Sequence, residues 1–484
     1  MVNHYFFVGI GGSGMSGLAQ ILKTQKNFVS GSDRIYDREE NQEVFHSLQR
    51  QGIVLHPQDG SGVIPPLDEV IISAAIEDNN PDLRKARNLS LPVTYRSSLL
   101  ARLFNAARGI GVAGTSGKST ITAMAAKVMD DAGLDPTVLN GAIIPDYKKG
   151  GGLGNAKVGT SAYILVETDE SDDSIVDFFP EISIVANISK DHKPLPELTG
   201  SFLRFAKNTK QTTILNADCQ HLRKLMTQIP PRKIVSFGLN KDCQVKAEEV
   251  KQKASGSTFR INNTLFSLQV PGEHNISNAL ATIALGVTLK IPLEKIRDSL
   301  AMFTGIARRL ELIDSVGGIR VFDDFSHNPA KIAAAVEALR PLRGRLIIIY
   351  QPHGYGPTKF LRHELIETFN TRLRAKDILI LLDIYYSGGT VDNSVSAGDL
   401  KKEINVPRTE HLHDRKEVVR RAINFSKPGD AIVVMGARDN TLTTLARAIA
   451  ETLKTTLPSR GGVEPSRIPF RPSDKTNAGR REGI

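Results

Sequence analysis

The segment Gly114-Thr115-Ser116-Gly117-Lys118-Ser119-Thr120 combines the residue types that bind nucleotide phosphates. It follows the apolar run Gly109-Ile110-Gly111-Val112-Ala113 and opens a helix-like stretch reaching Ala132. A glycine turn between strand and helix aims backbone N–H groups and the positive helix end at phosphate oxygens. Lys118 adds a mobile positive charge, Ser119 a hydroxyl suited to Mg²⁺, and Thr120 another for a phosphate. The usual spacing of such loops requires glycine where Val112 stands, so the strict pattern is not met and a bland glycine turn is the competing reading.

Two further segments have the composition of a ligand crevice. Val166-Glu167-Thr168-Asp169-Glu170-Ser171-Asp172-Asp173 puts carboxylates directly after a strand, the end of an open α/β sheet at which ligands bind, and one of them can hold Mg²⁺. A solvated acidic loop is the alternative. Asn187-Ile188-Ser189-Lys190-Asp191-His192 also follows a strand, which brings His192 within reach of the same crevice. At the N-terminus, Gly9-Ile10-Gly11-Gly12-Ser13-Gly14 fits G-x-G-x-x-G, with Asp33 about twenty residues on. That fingerprint by itself suits NAD, but its glycines admit a pyrophosphate whatever nucleoside is attached, and UDP is equally compatible.

Such loops need strands and helices to aim them. A chain of 484 residues divides into roughly three domains. Tyr5 to Gly9, a helix-like Met15 to Leu22 and Glu69 to Ser73 predict a first α/β domain over residues 1–107. Strands at Tyr163 to Val166, Ile182 to Ala186 and Thr213 to Leu215 predict a second, mainly parallel unit over 108–311. The third, 312–456, begins with strand, turn and strand around Gly317-Gly318 and continues through Leu346 to Tyr350, Ile378 to Leu382 and Ala431 to Met435. Residues 457–484, rich in Pro, Gly, Ser and Arg, read as a disordered basic tail.

Composition narrows the class. Apolar residues form 40% of the chain and charged residues 24%, as in a globular protein with a substantial interior. Cys219 and Cys243 stand far apart without histidines at metal-ligand spacing, against a disulfide framework or zinc site. The net charge of +10 suits anionic ligands without choosing among them. Without a basic leader or an apolar run near the roughly 20 residues that span a bilayer, a cytoplasmic chain with no membrane partner is expected.

Together the segments resemble the Mur ligases of peptidoglycan synthesis, over about residues 5 to 450. The carriers are Val8-Gly9-Ile10-Gly11-Gly12-Ser13-Gly14-Met15-Ser16, the loop ending Gly117-Lys118-Ser119-Thr120, Pro271-Gly272-Glu273-His274-Asn275-Ile276-Ser277-Asn278-Ala279, Asp323-Asp324-Phe325-Ser326-His327-Asn328-Pro329 and Tyr350-Gln351-Pro352-His353. Each motif is modest alone, and five in family order are specific. The order is most similar to the branch that adds L-alanine to UDP-N-acetylmuramate.

The resemblance implies an α/β, three-domain architecture: a Rossmann-like N-terminal domain, a central P-loop parallel-sheet ATPase domain and a C-terminal Rossmann-like α/β domain. By it, Gly11, Gly12, Ser13, Gly14, Met15 and Ser16 bind the UDP part of the substrate, with Asp33 and Ser73 near the uridine. Gly114, Thr115, Ser116, Gly117, Lys118, Ser119 and Thr120 bind ATP, Asn275 and Asn278 face adenine, and Asp324 meets the ribose. Ser119, Glu167 and His192 hold Mg²⁺, while Lys118, Glu167, His192 and Arg308 form the catalytic set. His327, His353 and Tyr355 fall in the acceptor region. The implied partners are a UDP-N-acetylmuramate-type nucleotide sugar and an amino acid or peptide, bound by a monomer or homodimer, with no nucleic acid.

Departures bear on the amine. Ser116 stands where the alanine-adding enzymes have His, and Gly354 and Pro357 stand where they carry arginines near the amino-acid end of the site. Ser326 and Asn328 replace a Gly and a His, Lys193-Pro194-Leu195 replaces a Met-Asp pattern, and Tyr385-Tyr386-Ser387-Gly388-Gly389-Thr390 is a candidate for an altered acceptor pocket, with a simple turn as the alternative. A ligase attaching a recycled murein peptide, an NAD-dependent oxidoreductase and a non-catalytic nucleotide-binding paralogue are the alternatives.

Overall fold

A computed structural model describes residues 2–149, 151–170, 173–190, 194–239, 242–253, 255–386 and 394–456. His192, Ser171, Asp172, Asp191, Lys193, the part of the Tyr385 segment from Ser387 to Thr390 and the tail 457–484 lie outside the described residues.

The first sheet is parallel throughout, in the order β3-β2-β1-β4-β5, with β1 His4–Val8, β2 Phe28–Ser32, β3 Val54–His56, β4 Glu69–Ile72 and β5 Val93–Tyr95. Successive side chains of a strand point to opposite faces. Phe6 and Val8 accordingly pack with Val70 and Leu83, while Tyr5 and Phe7 pack with Leu18, Ile21 and Leu48. Both faces are covered, which explains why β1 reads as an unbroken apolar run. The helix Arg96–Asn105 then delivers the chain to the second sheet, which starts at Arg108.

That second sheet has eight strands: β6 Arg108–Ala113, β7 Thr137–Leu139, β8 Ala156–Lys157, β9 Tyr163–Glu167, β10 Ile182–Val185, β11 Thr212–Asn216, β12 Ile234–Gly238 and β13 Val245–Lys246. The order is β13-β12-β11-β10-β6-β9-β7-β8, and only the β7–β8 pair is antiparallel. β6 lies between β9 and β10, so the carboxyl ends of all three open on one crevice, the usual ligand position of an open parallel sheet. A separate antiparallel sheet, β14 Glu248–Lys253, β15 Gly256–Ile261 and β16 Thr264–Leu268, has no counterpart in the sequence reading. Its apolar side chains, Phe259, Ile261, Phe266 and Leu268, are buried at alternate positions, and β14 is mostly exposed.

The third sheet runs β17-β18-β22-β19-β20-β21, with β17 Glu311–Val316, β18 Ile319–Asp324, β19 Leu346–Tyr350, β20 Ile378–Leu381, β21 Thr409–His411 and β22 Ala431–Met435. β17 and β18 form the only antiparallel pair in it. Their two-residue turn has φ of +57° at Gly317 and +80° at Gly318, the left-handed backbone that a tight hairpin requires and glycine adopts without strain. None of the helices among the described residues is long and apolar enough to cross a membrane.

Candidate functional site

The loop after β6 is built around two glycines with positive φ. Gly114 has φ +132°, and a Cβ there would lie 3.1 Å from the backbone nitrogens of Ala186 and Asn187. Gly117 has φ +86°, and a Cβ would lie 2.5 Å from Asn278 Oδ1. Only glycine lets the loop close on the end of β10 and on the helix Glu273–Thr288 at once. The helix Lys118–Asp131 starts immediately after it.

Asn187, the second residue beyond β10, fixes the loop's shape. Its Oδ1 accepts from the Ser116 N–H at 2.9 Å and the Thr115 hydroxyl at 2.8 Å, and its Nδ2 donates to the Ser116 carbonyl at 3.0 Å. Ser189 N–H donates to Thr115 Oγ1 at 3.0 Å. An Asn187→Ala variant removes three hydrogen bonds from a half-buried loop and is expected to lose about 1–3 kcal/mol. A urea midpoint equal to wild type would refute that role.

A cleft of about 410 Å³ opens over the loop and is lined by both the central and the C-terminal unit. Thr115, Ser116, Gly117, Lys118, Ser119 and Thr120 form its floor, with Glu167 and Asn187 from the ends of β9 and β10. Asn275 and Asn278 enter from the first turns of the helix Glu273–Thr288, and Asp324 and His327 from the segment after β18. Residues distant in sequence thus meet because four strand ends, those of β6, β9, β10 and β18, and the start of the helix Glu273–Thr288 share a crevice.

Lys118 Nζ contacts Glu170 at 2.7 Å, with the two side chains 15% and 3% exposed. Burial works against the ammonium, but the charges of Glu170, Glu167 and Asp169 outweigh it and hold Lys118 protonated above its ordinary pKa. Glu167 accepts from the Gly141 N–H at 2.7 Å. Asn278 Nδ2 donates to Asn275 Oδ1 at 3.2 Å, and Asn275 Nδ2 to the Pro271 carbonyl at 2.7 Å, which fixes both amides on the cleft wall. Burial pushes the His274 imidazole down to about 4, so this lining residue is uncharged at neutral pH.

The linker arginines divide their tasks. Arg309 lines the cleft, whereas Arg308, the residue singled out from sequence, turns into the third domain. Its Nη2 donates to the Gly436 carbonyl at 2.8 Å and its Nε lies 3.5 Å from Asp323 Oδ1. Phe325 sits between them, its ring centroid 5.0 Å from the Arg308 guanidinium carbon and 4.6 Å from that of Arg309. Asp324 is 4% exposed and accepts from the Leu310 and Ser326 N–H groups, both at 2.8 Å, so it shapes the interdomain turn as well as the cleft wall.

His327 and His353 stand edge to face at 5.9 Å and line an adjoining pocket with Tyr350, Pro357, Phe360 and Leu361. Tyr355 packs instead on Tyr386, with centroids 5.6 Å apart.

In the first domain, Gly11, Gly12, Ser13 and Gly14 make the turn into the helix Ser13–Thr24, while Met15 and Ser16 are buried. Asp33 turns inward: Oδ2 accepts from the Gly11 N–H and Oδ1 from the Ile35 N–H, both at 2.9 Å, and burial pushes its carboxyl up. It therefore holds the glycine turn in shape. Ser73 lies half-buried just beyond β4. Asn155 joins this turn to the central unit, with Nδ2 donating to the Ser13 carbonyl at 2.6 Å and to Ser16 Oγ at 3.1 Å.

The sequence reading did not single out Asn155, Asn187, Glu170 or Arg309. Signals existed for two: Asn187 directly follows a strand facing the loop, and Glu170 is part of the acidic run.

Comparison with known proteins agrees with this architecture. The Mur ligase family catalytic domain matches residues 4–108, the Mur ligase middle domain 112–286, and the Mur ligase glutamate ligase domain 308–438. A UDP-N-acetylmuramate–L-alanine ligase of Fusobacterium nucleatum subsp. nucleatum is 34% identical over 471 residues, covering 93% of this chain and 97% of that protein. The crystal structure of a UDP-N-acetylmuramate-alanine ligase from Thermotoga maritima superposes with a TM-score of 0.77 at 24% identity, covering 94% of this chain and 100% of that one. A murein peptide ligase from Psychrobacter arcticus shares the fold, with a TM-score of 0.67 at 23% identity over 93% and 98% of the two chains. With a relative 34% identical across nearly the full length of both proteins, the chain belongs to the Mur ligase family.

Proposed function

We propose that this chain is an ATP- and Mg²⁺-dependent ligase that joins L-alanine to UDP-N-acetylmuramate in peptidoglycan synthesis. The observation that carries the reading is the single cleft in which Lys118, Ser119, Glu167, Asn275, Asn278 and Arg309 converge. The name shared by its similar relatives supports the substrates.

The residues present fit the nucleotide and the ion. The loop's N–H groups and helix start line the cleft floor and suit phosphates, and the Ser119 hydroxyl with the Glu167 carboxylate offers the oxygen donors Mg²⁺ prefers. Bound there, Mg²⁺ would neutralise phosphate charge. In the reaction the muramoyl carboxylate takes the γ-phosphoryl group of ATP, and the amine then displaces phosphate from the acyl phosphate to form the amide. Both steps gather negative charge on oxygen, and Lys118 and Arg309 are placed to oppose it. Phosphate must compete with Glu170 for Lys118, so nucleotide binding exchanges one ion pair for another. Because walls of the cleft come from two domains, closing them excludes the water that would hydrolyse the acyl phosphate. The reaction belongs in the cytoplasm, where ATP and nucleotide sugars are supplied.

ADP release should require UDP-N-acetylmuramate and rise with L-alanine; release indifferent to every amine would refute a ligase. A second acceptor is favoured by one observation: among the described residues, the pocket beside His327 and His353 is lined by neither arginine nor lysine. The cation-poor lining suits an amine whose carboxylate lies farther away, as in a murein peptide. Higher kcat/KM for such a peptide than for L-alanine would decide for it.

A further inference from the structure

Beyond the nucleotide cleft, two histidines converge on one carboxylate where β20 and β21 end. The strands are parallel neighbours, with Leu381 opposite His411. Asp383 lies two residues past the end of β20, and His413 two past the end of β21. A His-x-His pair on extended chain projects both rings to one side, and the ring centroids are 4.5 Å apart. His411 Nε2 lies 2.9 Å from Asp383 Oδ1, and His413 Nδ1 lies 2.8 Å from Oδ2 and 3.0 Å from Oδ1. One ligand atom from each residue falls within 4.8 Å of the other two.

We propose that Asp383, His411 and His413 bind a divalent transition-metal ion of the zinc, cobalt or nickel class. Two imidazole nitrogens and one carboxylate oxygen match that class, whereas Mg²⁺ and Ca²⁺ favour all-oxygen sets. Ligand atoms about 2.0–2.2 Å from one ion stand somewhat over 3 Å apart, so the two His–Asp contacts of 2.8–2.9 Å would open by about half an ångström, and the whole trio already lies within 4.8 Å. The shell is open on its outer side, with the Asp383 and His413 side chains 57% and 73% exposed, leaving water to complete tetrahedral coordination. Arg415, the nearby cation, is paired with Asp439 at 2.9 Å and is also within electrostatic reach of Asp383.

The ion would clip the exit of β20 to that of β21. Asp383 also accepts at its carbonyl from Gln351 Nε2 at 3.2 Å, and Tyr385 two residues on donates its N–H to the Pro352 carbonyl at 2.8 Å and accepts from the Gly354 N–H at 2.9 Å. The clip would therefore steady the backbone that carries His353 into the acceptor pocket. It holds a different ion on different residues from the nucleotide site.

The test uses the untagged full-length chain, stripped with chelator and titrated with Co²⁺ in saturating Mg²⁺, followed by visible absorption. A saturable band reaching one equivalent, displaced by Zn²⁺ and accompanied by a rise in Tm, is expected. His413→Ala, at an exposed position that does not threaten folding, should weaken Co²⁺ binding by roughly tenfold or more, and His411→Ala/His413→Ala should remove the band. A wild type without a saturable band, or a double variant with the wild-type titration, would overturn the site.

Discussion

Replacing Lys118 with alanine is expected to lower turnover by on the order of a thousandfold, because the proposed mechanism then loses the group that opposes phosphate charge during both chemical steps. The structure adds a second consequence. Glu170 is 3% exposed and Lys118 is its ion-pair partner, so the single substitution strands a buried carboxylate. Breaking such a pair from one side costs about 3–5 kcal/mol at the upper end, reduced where the carboxyl protonates instead. Lys118→Ala should thus lose both activity and stability. Lys118→Ala/Glu170→Gln separates the two: stability returns toward wild type while turnover stays lost. Substrate-dependent ADP release and urea midpoints measured on both variants check this, and a Lys118→Ala enzyme turning over near the wild-type rate would remove the loop from the mechanism.

The phosphate loop was legible because backbone geometry writes it into residue type, the acidic run because it directly follows a strand, and the asparagine pair only through the family resemblance. Gly114 and Gly117 are required by positive φ and close approach, and Gly317-Gly318 by the hairpin turn. The β14–β16 sheet was not legible, since short strands with one solvated face and many charges resemble loops. The orientation of Asp33 was hidden for another reason. An acid about twenty residues after a glycine fingerprint is read as a ligand for ribose, yet both its oxygens accept backbone N–H groups here. Asn187 could be placed near the loop, but its task was hidden in the same way, since it holds three groups that belong to another strand's loop. Sequence gives the chemical types available at a site, while the division between groups that touch ligand and groups that hold the loop depends on which way each side chain turns.

Arg308 and Arg309 put that division to the test, since nothing in their identity distinguishes them. Arg308 has φ +56°, and its carbonyl accepts from the Phe325 N–H at 2.8 Å while its guanidinium reaches Gly436 and Asp323. Asp323 is fully buried, and its other contact is the Thr443 hydroxyl at 2.5 Å. Burial pushes the Asp323 carboxyl up, and Arg308 is the largest opposing influence. Arg308→Ala would leave that carboxylate without its cation and is expected to cost about 3–5 kcal/mol of stability. Arg309 lines the cleft and, among the described residues, makes no direct ion pair; its main countercharge, Asp324, already accepts two backbone N–H groups, so Arg309→Ala should fold near the wild-type midpoint. Its loss should fall on kcat, by on the order of a hundredfold, as for a donor directed at transition-state charge. Urea midpoints and steady-state ADP release on the two variants give a double dissociation. Equal kinetic losses with equal midpoints would show that the neighbours share one role, and the assignment of the cleft-facing charge to Arg309 would fall.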